Sequence, residues 1–199
     1  MRWAIAACAA FFAAVAAAGD LAVEGSCRDG LPHGAYEVRE PGGTARVVGA
    51  FAKGRRTGTF LFWSSGGARI AALPFDDDAL SGTVALWHAP AGRTGDARPK
   101  LEATYAQGRL AGVKRSWYPD GRLRGEYRYE QGALAAARAW TEAGKPMTEA
   151  RAHALAQRDL AADDATFASL AAFVRANLPR CAANAPDRAG RDPPAPRAL

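Results

Sequence analysis

Several columns of residues recur along this chain in one register, and they restrict it to a repeat architecture. Gly34, Gly58, Gly82 and Gly112 stand 24, 24 and 30 residues apart, and the small residue Ala136 stands 24 beyond. Gly30, Gly54, Asp78, Gly108 and Gly132 keep the same intervals, four residues upstream. Phe51, Phe75, Tyr105 and Tyr129 lie three residues before that column. Trp63, Trp87 and Trp117 each follow their glycine by five residues, and Trp140 falls one short. All columns pass through the same six-residue insertion. It maps to Ala89–Lys100, where Pro90, Gly92, Gly95 and Pro99 cluster, and it reads as a lengthened hairpin loop. A fixed period of this size marks stacked supersecondary units.

Each unit reads as turn, strand, turn, strand. In the fourth, Gln107–Gly112 turns the chain and Val113–Tyr118 forms the first strand. Pro119-Asp120-Gly121 makes a turn, because proline presets φ and Asp-Gly accepts positive φ. In the second strand, Arg122–Tyr129, Leu123, Gly125, Tyr127 and Tyr129 face one way. Arg122, Arg124, Glu126 and Arg128 face the other. Period two with one apolar side predicts a half-buried sheet. The second unit repeats this with Thr59–Trp63, the turn Ser64-Ser65-Gly66-Gly67 and Ala68–Phe75.

Gly54, Gly58, Phe60 and Trp63, then Gly108, Gly112, Trp117, Tyr118 and Gly121, then Gly125, Tyr127 and Tyr129 carry a family likeness. The pattern resembles the MORN repeat, and more closely the bacterial MORN-variant proteins of the toxin–antitoxin antitoxin-like family. The resemblance covers about residues 28–145. The fourth unit fits best. The first has Arg39 where the late Trp belongs, and the third has Val84 and Leu86 where aromatics are usual. The resemblance implies a twisted single-layer meander of hairpins used as a scaffold or binding surface. It implies no catalytic residues.

The chain opens with Met1-Arg2, an apolar run from Ile5 to Ala18 and the small residues Ala16-Ala17-Ala18. That is the layout of a secretory signal over residues 1–18. The run of 14 residues is short of the ~20 a spanning helix needs, against the alternative of an uncleaved anchor. Ile5-Ala6-Ala7-Cys8 imitates a lipoprotein box, but it sits at the front of the apolar core, where processing makes little sense. The expected address is periplasmic or secreted. Two cysteines then remain, Cys27 and Cys181. In an oxidising compartment they read as a disulfide, the alternative being two buried thiols. The formal charge of +6 is spread along the chain, as on a solvated surface. Export and this spread disfavour nucleic acid and leave an anionic membrane surface or cell-wall polymer as a partner.

After Gly144 glycine gives way to Ala, Leu, Asp and Arg. Met147–Leu160 can form one helix. Asp163-Asp164 offers an N-cap for a second, in which Phe167, Leu170, Ala171, Val174 and Leu178 form one apolar stripe ended by Pro179. The expected fold is mainly β: a repetitive antiparallel single-layer meander of about five hairpins over residues 19–145, with one or two α-helices over 146–181. The helices would cap an edge or cover a face. The tail 182–199, with Pro186, Pro193, Pro194 and Pro196, reads as disordered.

No motif for chemistry emerges. His33, His88 and His153 share no metal-ligand spacing. Asp76-Asp77-Asp78 could offer oxygens to Ca²⁺, but it falls where the repeat needs a turn. Ser64, Ser65 and Ser81 lack a nucleophile elbow. Gly42-Gly43 and Gly66-Gly67 read as hairpin turns, and Glu126 lies among arginines. No cofactor is implied. The aromatic columns have two readings, a ladder that seals the sheet or a groove for a peptide or glycan. Trp63, Trp87 and Trp117 are therefore candidate binding residues. Arg122, Arg124 and Arg128, with Lys114 and Arg115 nearby, form a basic row suited to an acidic partner. The sequence thus leads to an exported, non-enzymatic scaffold for a protein or envelope component. Two alternatives stand beside it: an immunity or antitoxin-type inhibitor of a toxin or hydrolase, and an envelope hydrolase with an unrecognised site.

Overall fold

The computed structural model describes residues 21–88 and 97–181. The expected signal, most of the lengthened third-unit loop and the tail lie outside the described residues. Eleven strands make one antiparallel meander. They are β1 (Ala22–Arg28), β2 (Leu31–Arg39), β3 (Ala45–Ala52), β4 (Arg55–Trp63), β5 (Arg69–Asp76), β6 (Ala79–Leu80), β7 (Gly82–Trp87), β8 (Pro99–Ala106), β9 (Arg109–Trp117), β10 (Leu123–Glu130) and β11 (Ala133–Ala139). Strands pair in chain order, except that the two-residue β6 pairs only with β5, and β7 takes the next place in the sheet. One helix, α1 (Glu149–Ala176), follows.

The repeat is written in the turns. At one end of the sheet, Asp29-Gly30, Lys53-Gly54, Asp77-Asp78, Gln107-Gly108 and Gln131-Gly132 all hold positive φ at both positions, between 48° and 88°. Two left-handed residues in a row are the type I′ turn, whose twist matches that of the flanking strands. This corrects the expectation that Gln107–Gly112 is one turn. Only Gln107-Gly108 turns, and Gly112 lies inside β9. At the other end, Gly43, Gly67, Gly121 and Gly144 close three-residue loops at φ between 76° and 91°.

The single helix lies across one face of the sheet. Its 28 residues, at ~1.5 Å each, span about 42 Å. Ten strands at ~4.8 Å spacing span about 43 Å. The contacts march along it in order. Ala152 and Leu155 pack with Ala139 of β11, and Asp159 accepts a bond from Tyr127 of β10. Asp163 meets Lys114 of β9, and Phe167 meets Tyr105 of β8 edge-on. Phe173 lies beneath the Arg46 guanidinium of β3. The Tyr36 hydroxyl of β2 then donates to the Asn177 carbonyl at 2.8 Å, and the Cys27–Cys181 disulfide fastens the far end to β1. Face-covering is therefore the observed arrangement.

Two details of the helix depart from the sequence pattern. Asp163-Asp164 does not start a second helix. Thr148 is the N-cap, and Asp163 sits mid-helix with its carboxylate turned to Lys114. Leu178 stays 38 % exposed, while Phe173 packs against the core beside Phe167 and Leu170. The core beneath the helix is the aromatic ladder. Tyr36, Phe51, Phe60, Phe75, Tyr105, Tyr127 and Tyr129 are all buried. Phe60 stands edge-on to both Phe51 and Phe75, at 5.4 and 5.5 Å. Gly125 makes room for Tyr127, because a Cβ there would lie 2.2 Å from the phenol oxygen.

Candidate interaction surface

Strand alternation gives the sheet one face under α1 and one open face. Where Phe60 and Phe62, Val84 and Leu86, and Lys114 and Ser116 point to the helix, their neighbours Trp63, Trp87 and Trp117 point away. Each of the three is half-buried at the end of its strand away from the type I′ turns. Cross-strand pairing sets Trp63 opposite Arg69, Trp87 opposite Pro99 and Trp117 opposite Leu123. The row along this rim therefore runs Trp, Arg, Trp, Pro, Trp, Leu, with tryptophans about 10 Å apart on alternate strands. The Arg69 guanidinium stacks on Trp87 at 4.3 Å. His88 Nε2 lies 2.9 Å from the Trp117 carbonyl.

Down the middle of the open face the pairing gives a second row: Glu24, Glu37, Val48, Leu61, Ala72, Ala85, Glu102, Arg115, Glu126 and Arg138. It is acidic at Glu24 and Glu37 and apolar from Val48 to Ala85. From Glu102 to Arg138 it alternates in sign, and Arg115 Nε bonds Glu126 at 3.0 Å. Unlike charges directly opposite stabilise neighbouring strands.

The predicted basic row does not assemble. Arg122 lies in the turn before β10, paired with Asp120 and bonded to the Glu142 carbonyl. Arg128 is exposed on the open face beside Glu130. Arg124 turns to the helix, where its guanidinium reaches Asp159 at 2.8 Å. Lys114, expected on an outer face, is only 1 % exposed. Lys114 follows plain alternation, inward with Ser116 and opposite the buried Tyr127. For Arg124 the cause is a bulge. Ser116 pairs with Gly125 and Trp117 with Leu123, so Arg124 is an extra residue with no partner opposite. A bulge re-aims its side chain. The same offset leaves Arg46, Ile70 and Lys100 unpaired in the earlier units. Arg46 covers Phe173, Ile70 packs into the core, and Lys100 favours the ionised form of Asp163. These four residues stand 24, 30 and 24 apart, a column in plain register with the repeat that strict alternation hides.

Beneath the helix the bulge feeds a buried polar cluster. Lys114 Nζ lies 2.5 Å from Asp163 Oδ2. Asp159 accepts from the Tyr127 hydroxyl at 3.0 Å and from Ser116, and pairs with Arg124. Burial pushes the Asp163 carboxyl above the usual carboxylate range, with Lys114 pulling it back in part. Burial, aided by the Asp159 charge, raises the Tyr127 phenol. Among the described residues, no buried side-chain polar atom lacks a partner. The cluster ties helix to sheet, and every group in it is engaged with another.

The remaining candidates resolve individually. Asp77 and Asp78 form a type I′ turn, and Asp78 holds Arg56 through Nε at 2.7 Å. Burial works to raise the Asp78 carboxyl, but the bonds from Arg56 outweigh it and hold it below its ordinary value. His33 Nδ1 accepts from the Lys53 amide at 3.3 Å, and His153 lies on α1, 3.9 Å from Glu149. Among the described residues, no three His, Cys, Asp or Glu side chains gather to hold a metal, and no helix is long and apolar enough to cross a membrane. No protein-family profile matches the chain, and no curated protein matches it.

Proposed function

We propose that this protein is a non-enzymatic interaction scaffold of the MORN-like kind, acting outside the cytoplasm on a protein or an envelope component. The observation that carries this reading is the open rim of Trp63, Trp87 and Trp117. A face that no helix covers among the described residues presents three half-buried tryptophans at regular spacing. Tryptophan anchors dominate binding surfaces, because they bury a large area at small entropic cost. The Cys27–Cys181 bond supports export, since persistent disulfides belong to oxidising compartments.

The test is site-directed photocrosslinking in the envelope fraction, with the crosslinker at Thr83 or Thr104 on the open face. One discrete adduct is expected, and the pair Trp63→Ala and Trp117→Ala should weaken it by tenfold or more. Arg128→Glu should leave it within about twofold. Adducts that persist unchanged in the double tryptophan variant would overturn the reading. Intact mass after export, with and without reduction before alkylation, tests the address. Retention of residues 1–18, or thiols that alkylate freely, would place the protein elsewhere.

A further inference from the structure

A cavity of about 260 Å³ opens between the C-terminal half of α1 and the strands β4 to β6. Phe62, Leu73, Phe75 and Leu80 wall it from the sheet, and Phe167 and Ala171 from the helix. Two sequence choices create it. The helix carries Ala168 and Ala171 here, too short to reach the sheet. Pro74 lacks the N–H that would pair toward β7. Its carbonyl bonds the Ser81 amide instead, and the chain breaks into the separate β6.

The cavity runs on into a second recess of about 180 Å³, sharing Arg56, Asp78, Ala171 and Val174 and adding Arg175. Arg56 stacks on Phe75 at 4.0 Å and bonds Asp78. Arg55 pairs with Asp77. Arg175 has no carboxylate partner among the described residues. Among the described residues, the apolar slot thus ends at a mouth with one uncompensated positive charge, that of Arg175.

We propose that this slot binds a single-chain amphiphile with an anionic head, its alkyl chain in the cavity and its head on Arg175 and Arg56. Apolar cavities of ~150 Å³ already admit benzene. At roughly 30 Å³ per heavy atom, 260 Å³ takes about nine carbons. One medium-length chain fits and two do not. Each buried methylene should strengthen binding about fourfold. The site lies on the helix side, so it stands or falls separately from the open-face reading.

The test is calorimetric titration of the oxidised protein with decanoate below its micellar concentration. One-to-one binding is expected, about 15-fold weaker for octanoate. Decyltrimethylammonium should not bind, and decanol should bind at least tenfold more weakly than decanoate. A decanoyl lysophospholipid with an anionic head separates the two sources of such a chain: binding equal to decanoate marks a lipid, and weaker binding a free fatty acid. Ala171→Phe should abolish binding by filling the slot. Ala168→Phe, on the exposed rim of the slot, should block its opening with less risk to folding. Arg175→Glu should erase the preference for decanoate over decanol. No decanoate binding, equal binding of decyltrimethylammonium, or unchanged binding in a folded Ala168→Phe variant would overturn the proposal.

Discussion

Replacing Lys114 with methionine tests whether the sheet and helix are joined by a desolvated ion pair. The Lys114 side chain is 1 % exposed and that of Asp163 8 %. Removing one partner of a buried pair strands the other charge, which costs about 3–5 kcal/mol. Lys114→Met keeps the length of the stem, so packing loss is small and the cost is electrostatic. The penalty should depend on pH with a definite sign. Burial already raises Asp163, and loss of Lys114 raises it further. A protonated carboxyl needs no cation, so the penalty is largest near pH 7 and shrinks toward pH 4. The double variant Lys114→Met with Asp163→Leu removes both charges. It should recover to wild-type stability or exceed it by ~1–4 kcal/mol. Urea unfolding of the oxidised protein across pH gives all four corners of the cycle. A single-variant cost below about 1 kcal/mol at pH 7 would refute the reasoning, because solvent-screened pairs behave that way. So would a double variant no more stable than the weaker single.

Three further outcomes follow from the same structure. The disulfide joins residues 154 apart, and the loop-entropy relation puts its removal at about 5 kcal/mol. Cys27→Ser with Cys181→Ser should lower Tm by ~10–20 °C, and hydrogen exchange should quicken first in the last turns of α1. Gly125→Ala drives a Cβ into the fully buried Tyr127 ring and should cost about 1–3 kcal/mol by urea denaturation, whereas no measurable change would mean the ring is free to move. Asp78 and Asp163 should oppose each other in acid. The folded Asp78 carboxyl lies below its ordinary value of 3.8, so its stabilisation is full above that value and lost as pH falls through the lowered one. The folded Asp163 carboxyl lies above 3.8, so its contribution is full below that value and lost as pH rises through the raised one. Asp78→Asn should therefore flatten the acid limb of stability against pH, and a steeper limb would contradict the assignment.

The cysteine pair was legible from its number and expected compartment, whereas the turn columns and the aromatic ladder share another reason. Each is set by local rules repeated at a fixed interval. Positive φ falls on Asp, Lys or Gln followed by Gly or Asp at the same place in every unit, and period two sorts Tyr127 and Tyr129 from Glu126 and Arg128. The errors also share a cause. Arg124 and Lys114 are charged, and alternation with charge out places them in solvent. The bulge breaks that alternation at Arg124, Lys114 sits on the inward side of β9 with Ser116, and α1 brings carboxylates to meet both. Asp163-Asp164 looks like a helix start because an acidic pair suits an N-cap. Only the partner 49 residues earlier reveals it as a core group.

What the sequence determined by itself is the unit: a hairpin of known turn types, repeated about five times, with a buried and an exposed side. What the tertiary structure decided is which side is covered and which stays open. The helix could have capped an edge by any local rule. Its length matches the width of the whole sheet, and the Cys27–Cys181 bond holds its far end to the first strand. Covering that face buries the aromatic ladder and half-buries the bulge residues. The tryptophan rim is left in the open, because burial there would need a second layer that the described chain does not supply.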